Sequence, residues 1–322
     1  MDILISEELA TAAVDRLTEK FVVVRDGSLW KDPAHLSQAL RDARTIMIRN
    51  QTQLTADLLA AAPKLIGIGR LGVGLDNIDV QAASRLGIVV IAPLDANATS
   101  VAELTIGLLL ALARKIPRAD RSTKAGDWDR KGCMGVELAD KTLAICGFGR
   151  IGRLVAARAR AFGLRLVIFD PFMKADSPAL LESGATLTKT LREAVIEADF
   201  VTTHSPLTAE THQMFNAQSF GAMKPGAFFI NTSRGGVVDE AALLDALGRG
   251  HLGGAALDVR EIEPPTLRVG FEDLDNVILT PHLGAATIEA QTRTFETVAA
   301  DLDRLLSGKP AVNYVNFASP RR

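Results

Sequence analysis

Residues 142–170 combine an apolar run, a glycine-rich turn, a helical pattern and a second apolar run that ends in an acidic residue. The turn places Gly147, Gly149 and Gly152 at the spacing GxGxxG. When such a turn joins a strand to a helix, the first glycine permits a tight turn, the second lets the backbone approach a pyrophosphate and the third lets the helix pack on the strand. The free N–H groups and the positive dipole at the helix start also favour phosphates. The segment therefore predicts a parallel α/β sheet that binds a dinucleotide.

The acid that closes this segment indicates which dinucleotide binds. Asp170 stands 18 residues after Gly152, close to the offset of about 20 residues at which an acid binds a ribose 2′-hydroxyl. A carboxylate there would repel a 2′-phosphate, and the following Pro171 and Phe172 offer no arginine to hold one. We therefore expect NAD rather than NADP as the cofactor. The other residues of the turn are expected to contact it too: Phe148, Arg150 and Ile151.

A second GxGxxG match, at residues 67–72, serves as a control. Residues 73–77 after it are rich in glycine and turn formers, which start a helix poorly. The next predicted strand, at residues 88–91, ends in Ala92 and Pro93 with no acid at the ribose position. The dinucleotide is therefore assigned to the later turn, and the loop at residues 67–74 is a candidate for another role.

Length, charge and cysteine content exclude several classes of protein. A chain of 322 residues predicts two domains, and a net charge of −2 offers no general attraction to nucleic acid or anionic membranes. The most apolar stretch, residues 104–113, is shorter than the ~20 residues that span a bilayer, and the first residues do not resemble a signal peptide. Cys133 and Cys146 form no disulfide framework or zinc site. We expect a cytoplasmic protein with neither a nucleic-acid nor a membrane partner.

Short β-rich runs alternate with helical patterns along the whole chain, which predicts parallel sheets covered by helices. The predicted strands lie at residues 3–6, 21–25, 45–48, 65–68, 88–91, 142–146, 166–169, 186–187, 200–203, 227–231, 255–258 and 277–280. A helix predicted at residues 101–114 starts with a capping-box pattern, Ser100 with Glu103, and Pro117 follows its end. A polar stretch at residues 121–132 comes next. A long helix at residues 287–306 is expected to fold back on the first domain.

Three motifs follow later strands, at the edge where an open α/β sheet places its ligands. They contain Arg234 in NTSRGG, Glu263 in DVREIEPP and His282 in PHLG. An arginine can bind a carboxylate and polarise the adjacent carbonyl, while a histidine can exchange the hydroxyl proton near neutral pH. A glutamate beside the histidine would orient the imidazole and favour its protonated form. The set fits oxidation of a 2-hydroxy acid or reduction of a 2-oxo acid, and it needs no metal.

Further residues near these strand ends are expected to border the cofactor. His204 lies on the loop after the strand at residues 200–203, where we expect the nicotinamide. Asp258, also assigned to the cofactor site, is expected either to orient the arginine or to cap its own loop. The remaining candidates for cofactor contacts are Pro206, Thr211, Thr232, Ser233 and Gly284.

Taken together, GFGRIG with Asp170, NTSRGG, DVREIEPP and PHLG resemble the D-2-hydroxyacid dehydrogenase family over nearly the whole chain. Residues 72–79 and 127–138 resemble in particular its phosphoglycerate dehydrogenase branch. The resemblance implies that Arg234, Glu263 and His282 are catalytic. It also implies a substrate-carboxylate loop at residues 70–74 and homodimers built on the fingerprint domain, with tetramers as a further option. The loop residues assigned to the substrate are Leu71, Gly72, Val73 and Gly74.

The expected fold class is α/β with two doubly wound parallel-sheet domains. A Rossmann-type NAD-binding domain at residues 99–285 is expected to be inserted in a flavodoxin-like substrate-binding and catalytic domain. That second domain would comprise residues 1–98 together with residues 286–322. The insertion follows from the order of the elements, since the last long helix comes after the second sheet is complete.

The sequence leaves the substrate open between alternatives. Arg49 and Asn50 resemble the loop that contacts the distal end of the substrate, and with Arg234 they are expected to bind it. The string IRNQT followed by GRLGVGLDNID is similar to sulfolactate dehydrogenases, and Arg260 stands where an aromatic residue is usual. We expect a small 2-hydroxy acid with an anionic tail, such as 3-phosphoglycerate or sulfolactate. A rival of another class is an NADH-sensing binding protein, because co-repressors that resemble this family retain its catalytic triad.

Overall fold

The computed structural model describes residues 1–9 and 12–321, which form two compact units. One unit comprises Met1–Asn97 together with Thr287–Arg322, and we call it the split unit. The other comprises Ala98–Ala286, and we call it the central unit. The chain thus leaves the split unit after its fifth strand, completes the central unit and then returns.

The split unit is built on a parallel sheet of five strands. Its strands are β1 (Ile3–Ile5), β2 (Val23–Arg25), β3 (Thr45–Ile48), β4 (Gly67–Arg70) and β5 (Val89–Ile91). Its first helices are α1 (Ala12–Thr18), α2 (Pro33–Leu40), α3 (Ala56–Ala60) and α4 (Val80–Arg85). Asp32, Thr55 and Asp79 cap α2, α3 and α4 by accepting hydrogen bonds from backbone N–H groups. The strand order β2-β1-β3-β4-β5 is that of a flavodoxin-like sheet, as predicted.

The central unit is built on a parallel sheet of seven strands. Its strands are β6 (Thr142–Cys146), β7 (Arg165–Phe169), β8 (Thr186–Thr188), β9 (Phe200–Thr203), β10 (Phe228–Asn231), β11 (Gly254–Leu257) and β12 (Val277–Leu279). Its helices are α5 (Ala98–Ala113), α6 (Ile116–Lys124), α7 (Arg150–Ala161), α8 (Pro178–Ser183), α9 (Leu191–Val195), α10 (Ala217–Ala222) and α11 (Glu240–Gly248). In the order β12-β11-β10-β9-β6-β7-β8, successive strands are added on one side from β6 to β8 and on the other side from β9 to β12, so the strand order reverses between β6 and β9. Doubly wound sheets bind their ligands at the carboxyl end of the strands beside such a reversal.

The core of the central unit lies on both faces of its sheet. Successive residues of a strand point to opposite faces, so Leu143 and Ile145 enter the cluster that also contains α5 and α7 side chains. Ala144 and Cys146 enter the cluster formed with α9, α10 and α11. Burial on both faces explains why these strands read as continuous apolar runs. Within the described part of the chain, no helix is long and apolar enough to cross a bilayer.

The last helix, α12 (Ile288–Leu306), packs on β4 in the split unit. Gly67 and Gly69 lie inside β4, where an added Cβ would come within 2.8 Å of Leu305 and 2.7 Å of Val298, respectively. The strand β4 thus lies two residues later in the chain than the strand predicted at residues 65–68. Glycine is unfavourable inside a strand, but here it makes room for a helix that is distant in sequence.

One prediction at the start of the central unit is wrong. Helix α5 begins at Ala98, so Ser100 is buried inside the helix and does not form the predicted N-cap. Pro117 follows the end of α5, as predicted, and it lies in the first turn of a further helix, α6, where a proline has no hydrogen-bonded N–H to lose. The stretch predicted as polar from residue 121 is helical up to Lys124. The error at Ser100 arises because a capping pattern does not by itself show on which side of a helix boundary it lies.

Candidate active site

The glycine turn between β6 and α7 is shaped by contacts that exclude a side chain at two of its three glycines. Gly147 has φ +94°, and a Cβ there would lie 2.8 Å from the backbone carbonyl carbon of His204. A Cβ at Gly152 would lie 2.2 Å from the carbonyl oxygen of Gly147. A Cβ at Gly149 would meet no atom within 4 Å. The protein's own backbone thus requires the first and third glycines, whereas the second leaves open space at the start of α7 that suits a phosphate.

Asp170 follows β7 and supports the glycine turn. Its Oδ2 accepts a hydrogen bond from the Phe148 N–H at 2.8 Å, and its Oδ1 accepts one from the Phe172 N–H at 2.9 Å. The Phe148 side chain is buried in the core and is therefore not available to a ligand. Arg150 is exposed at the first position of α7, and Ile151 is half-buried. The acid expected at the ribose lies beside the glycine turn, with both carboxylate oxygens oriented by backbone donors.

The loop after β9 brings His204 next to the glycine turn. Its Nε2 lies 3.2 Å from the Thr202 hydroxyl, and its buried Nδ1 has no hydrogen-bond partner among the described residues. Burial lowers the pKa of His204 to about 3, so the ring is neutral at physiological pH. Further along the loop, the Thr211 hydroxyl donates to the carbonyl oxygen of Pro206 at 2.6 Å. A buried nitrogen without a partner beside the glycine turn is a polar atom that a bound cofactor would satisfy.

Asn231 shapes the loop that carries Arg234 after β10. Its Oδ1 accepts hydrogen bonds from the N–H and the hydroxyl of Ser233, both at 2.9 Å, and its Nδ2 donates to the Arg234 carbonyl at 2.9 Å. The Arg234 Nη1 donates to the Ser233 carbonyl at 2.7 Å. The hydroxyl of Thr232 lies 2.8 Å from that of Thr105 on α5. These bonds hold the half-buried Arg234 at the carboxyl end of its strand.

His282 and Glu263 form a direct pair, with the histidine Nδ1 2.6 Å from the glutamate Oε2. The hydrogen bond with Glu263 raises the pKa of His282 and outweighs the effect of partial burial. The charge of Asp258 also raises it, and the charge of Arg234 lowers it. Burial raises the pKa of Glu263, but the hydrogen bonds from His282 and from the Arg260 N–H reverse this, so the net pKa is lowered. The structure thus brings Arg234, Glu263 and His282 together, with the imidazole Nε2 left to exchange a proton.

Asp258 follows β11 and holds the turn that carries His282. Its carboxylate accepts hydrogen bonds from the Thr280 hydroxyl at 2.6 Å, the Leu283 N–H at 2.7 Å and the Gly284 N–H at 2.8 Å. His282 has φ +55°, a conformation that costs free energy for any residue with a side chain. These hydrogen bonds are those of a capping residue, and a direct contact of Asp258 with the cofactor stays a prediction.

The residues predicted to bind substrate outside the central unit lie after two adjacent strands of the split unit. Arg49 and Asn50 follow β3 and are exposed. Residues 71–74 follow β4, with Leu71 buried and the other three, Gly72, Val73 and Gly74, half-buried. Because parallel strands end at the same edge of a sheet, the two loops are neighbours there.

Three buried polar residues, which the sequence does not mark as a unit, tie these loops together. Asn77 donates to the carbonyls of Arg49 at 3.1 Å and Thr52 at 2.7 Å, and its Oδ1 accepts from the Arg70 Nε at 3.2 Å. The buried carboxylate of Glu7 accepts hydrogen bonds from three backbone N–H groups of the first loop, those of Arg49, Gln51 and Thr52. Glu7 lies two residues after β1, Arg70 is the last residue of β4 and Asn77 lies seven residues beyond it, so no local pattern marks them as a unit.

The sequence of the central unit matches a known family. Residues 106–284, more than half of the chain, match the model of the D-isomer specific 2-hydroxyacid dehydrogenase family, NAD-binding domain. The chain belongs to this family. NAD is therefore the cofactor of the central unit, and the geometry fits it, since a side chain at Gly149 would meet open space and the backbone of His204, whose Nδ1 has no partner among the described residues, packs against Gly147 of the same turn.

Individual relatives extend the similarity to the whole chain. D-3-phosphoglycerate dehydrogenase of Methanocaldococcus jannaschii is 43% identical over 98% of this chain and 59% of its own length. The enzyme of that name from Rattus norvegicus is 45% identical over 91% of this chain and 54% of its own length. The chain therefore spans little more than half the length of these curated relatives. The predicted family and its phosphoglycerate dehydrogenase-like branch are confirmed.

A solved structure shows the same fold. The TT0316 protein from Thermus thermophilus superposes with a TM-score of 0.89 at 34% sequence identity, covering 98% of this chain and 100% of that chain. The predicted pair of parallel-sheet α/β domains is therefore confirmed.

Proposed function

We propose that the chain is an NAD-dependent oxidoreductase that interconverts a small 2-hydroxy acid and its 2-oxo acid. The observation that carries the proposal is the Glu263–His282 pair beside Arg234, at the carboxyl ends of adjacent strands in the unit that holds the glycine turn. A cation for the carboxylate, an acid–base group for the proton and a dinucleotide site are the parts that this reaction requires. The relatives named D-3-phosphoglycerate dehydrogenase support the same reaction class.

We assign the cofactor to the central unit and the substrate's remaining contacts to the split unit. The pyrophosphate is assigned to residues 147–152, with the open face at Gly149, and the ribose 2′-hydroxyl to Asp170. Bound NADH supplies the hydride for the carbonyl carbon. The residues assigned to the rest of the cofactor site are His204, Pro206, Thr211, Thr232, Ser233, Asp258 and Gly284.

Arg234, Glu263 and His282 divide the remaining chemistry. The Arg234 guanidinium binds the substrate carboxylate through two parallel hydrogen bonds and polarises the adjacent carbonyl. During reduction His282 donates the Nε2 proton to the carbonyl oxygen, and during oxidation the neutral ring accepts it back. Glu263 accepts the Nδ1–H, which fixes the orientation of the ring and stabilises its protonated form.

The substrate is proposed to carry an anionic tail, as 3-phosphoglycerate does. Arg49 and Asn50 are assigned to this tail and residues 71–74 to the carboxylate, and the buried bonds of Glu7 and Asn77 keep both loops in place. The names of the curated relatives favour a phosphate. Sulfolactate is the alternative, because a sulfonate is also a strong acid that one arginine can bind.

Oxidation of NADH should be measured with a panel of 2-oxo acids: phosphohydroxypyruvate, sulfopyruvate, 2-oxoglutarate, hydroxypyruvate and pyruvate. We expect one acid with an anionic tail to exceed pyruvate in kcat/KM by at least about a hundredfold, because an ion pair and its hydrogen bonds contribute several kcal/mol. His282→Ala should remove turnover while NADH still binds. Tight NADH binding without turnover on any acid would contradict the enzyme and favour the NADH-sensing protein.

We also propose a homodimer built on the central unit. Large apolar side chains are exposed within one segment, residues 116–136, and Trp128 retains 80% of its accessible surface. Exposed apolar surface of this kind is typical of a subunit contact. Light scattering should give twice the mass of the chain, and four times would indicate paired dimers, whereas a monomer would contradict the proposal. The exposed residues are Ile116, Trp128, Met134 and Val136.

A cytoplasmic location stays a prediction.

A further inference from the structure

Arg260 carries a buried cation in the loop that leads from β11 to Glu263. Only 9% of its side chain is exposed. Its Nε and Nη2 donate to the two carboxylate oxygens of Glu240, in the first turn of α11, at 2.9 and 3.0 Å. Glu272 lies 3.7 Å from the guanidinium, whose central carbon lies 5.0 Å from the Phe271 ring centroid. A two-pronged ion pair of this kind fixes both position and orientation.

The backbone of Arg260 is in direct contact with the catalytic candidate Glu263. Its N–H donates to the Glu263 Oε1 at 2.9 Å, and the Oε2 of the same carboxylate binds the His282 Nδ1. A Cβ at Gly235 would lie 1.9 Å from the Arg260 carbonyl, so the loop that carries Arg234 presses on the same peptide group. The loop of Arg234 and the side chain of Glu263 therefore both contact Arg260, and His282 is linked to it through Glu263.

The Glu263 loop buries little of its own surface. Residues 261–269 are all exposed, and apolar side chains among them, such as Ile262 and Leu267, lie largely in solvent. The Glu261 N–H also donates to the Glu240 carboxylate, at 2.9 Å. The pairing of Arg260 with Glu240 is thus the buried polar anchor of this loop.

We propose that Arg260 is a positioning residue, whose buried ion pair with Glu240 holds the backbone N–H that orients Glu263 toward His282. The catalytic consequence rests on the function proposed above, but the positioning does not. The charged groups that face His282 are Glu263, Asp258 and Arg234. Because the hydrogen bond with Glu263 is the main cause of the raised pKa of His282, loss of the anchor should lower that pKa.

The test is a titration of His282 by NMR in the cofactor-free protein with labelled histidine, where the signal is assigned by its loss in His282→Ala. It compares wild type, Glu263→Gln, Arg260→Met and the double variant. Arg260→Met should lower the pKa of His282 in the wild-type background and leave it unchanged in the Glu263→Gln background. Equal shifts in both backgrounds, or no shift in folded Arg260→Met, would overturn the proposal.

Two further variants separate positioning from general loss of stability. Removing one partner of a buried ion pair can unfold a protein, so Arg260→Lys, which keeps the charge without the two-pronged geometry, should give a smaller shift of the same sign. Arg268→Met removes an exposed ion pair with Asp273 from the same loop and should change nothing. In turnover assays, Arg260→Met should lower kcat about tenfold, which is part of the 10²- to 10⁴-fold rate enhancement that a general acid–base group contributes. The Kd for NADH should stay the same. If no variant and no wild type turns over any acid, the proposed function fails, yet the titration still decides the role of Arg260.

Discussion

Alanine substitutions at two glycines of one turn distinguish space kept for a ligand from space required by the fold. Gly149 and Gly152 are three residues apart, and both stand at the start of α7. A methyl group at Gly152 would lie 2.2 Å from the carbonyl oxygen of Gly147, whereas one at Gly149 would meet no protein atom within 4 Å. We therefore expect Gly152→Ala to destabilise the protein and Gly149→Ala to weaken only the binding of NADH.

The expected magnitudes follow from these contacts. Overpacking against a backbone atom costs about 1–3 kcal/mol, which corresponds to a loss in Tm of roughly 2–12 °C at about 2–4 °C per kcal/mol. At Gly149 the backbone has φ −72°, which alanine adopts freely. The poorer N-cap formed by alanine costs about 0.5–1 kcal/mol, and the smaller entropy of the unfolded chain returns about 0.4–1 kcal/mol. The Tm of Gly149→Ala should therefore stay within about 2 °C of wild type.

The binding of NADH separates the two variants further. A methyl group at Gly149 occupies the space assigned to the pyrophosphate, and a clash of about 1–3 kcal/mol weakens binding roughly 5- to 150-fold. Thermal unfolding without cofactor and fluorescence titration with NADH measure the two effects independently. Wild-type affinity for NADH in Gly149→Ala would refute the placement of the cofactor. An equal loss of Tm in both variants would refute the steric argument.

Three further predictions concern the cofactor and the catalytic groups. Asp170→Ala should reduce the preference for NAD over NADP and weaken NADH binding itself, since the Phe148 N–H loses its acceptor; an unchanged ratio of the two Kd values would contradict the ribose assignment. Oxidation needs a neutral imidazole, so its rate rises as pH passes the pKa of His282. Because Glu263 raises that pKa, Glu263→Gln should move the acidic limb of the pH–rate profile to lower pH, and superimposable profiles would argue against the contact. Arg234→Lys should raise KM for the oxo acid about tenfold or more, as one of two hydrogen bonds is lost, with the Kd for NADH unchanged; an unchanged KM would exclude Arg234 from the carboxylate.

Much of the fold could be predicted from the sequence because strands buried on both faces read as apolar runs between turn formers. The strands β3, β6 and β9 lie at the predicted residues, and the ends of the others differ by one or two positions. The helix α6 was not predicted, since most of its residues are polar and none of them is buried. Local patterns report burial, and an element that buries nothing leaves little signal.

The catalytic candidates were predictable for a different reason. Arg234, Glu263 and His282 follow separate strands, and parallel topology alone brings such residues to one edge of a sheet. The supporting residues were not predictable in this way. Glu240 lies at the start of a helix, and its pairing with Arg260 depends on how α11 packs, which no local pattern reports.

The two GxGxxG matches in this chain show how one pattern can have two physical causes. At residues 147–152 the middle glycine faces open space at the start of α7, where the cofactor phosphates are assigned. At residues 67–72 the first two glycines lie inside β4, and the space above them is filled by Val298, Leu302 and Leu305 of α12. There the pattern records the contact between a strand and a helix more than 200 residues away in sequence. The element that follows distinguishes the two cases, since the later turn opens a helix of 12 residues and the earlier one leads into a loop.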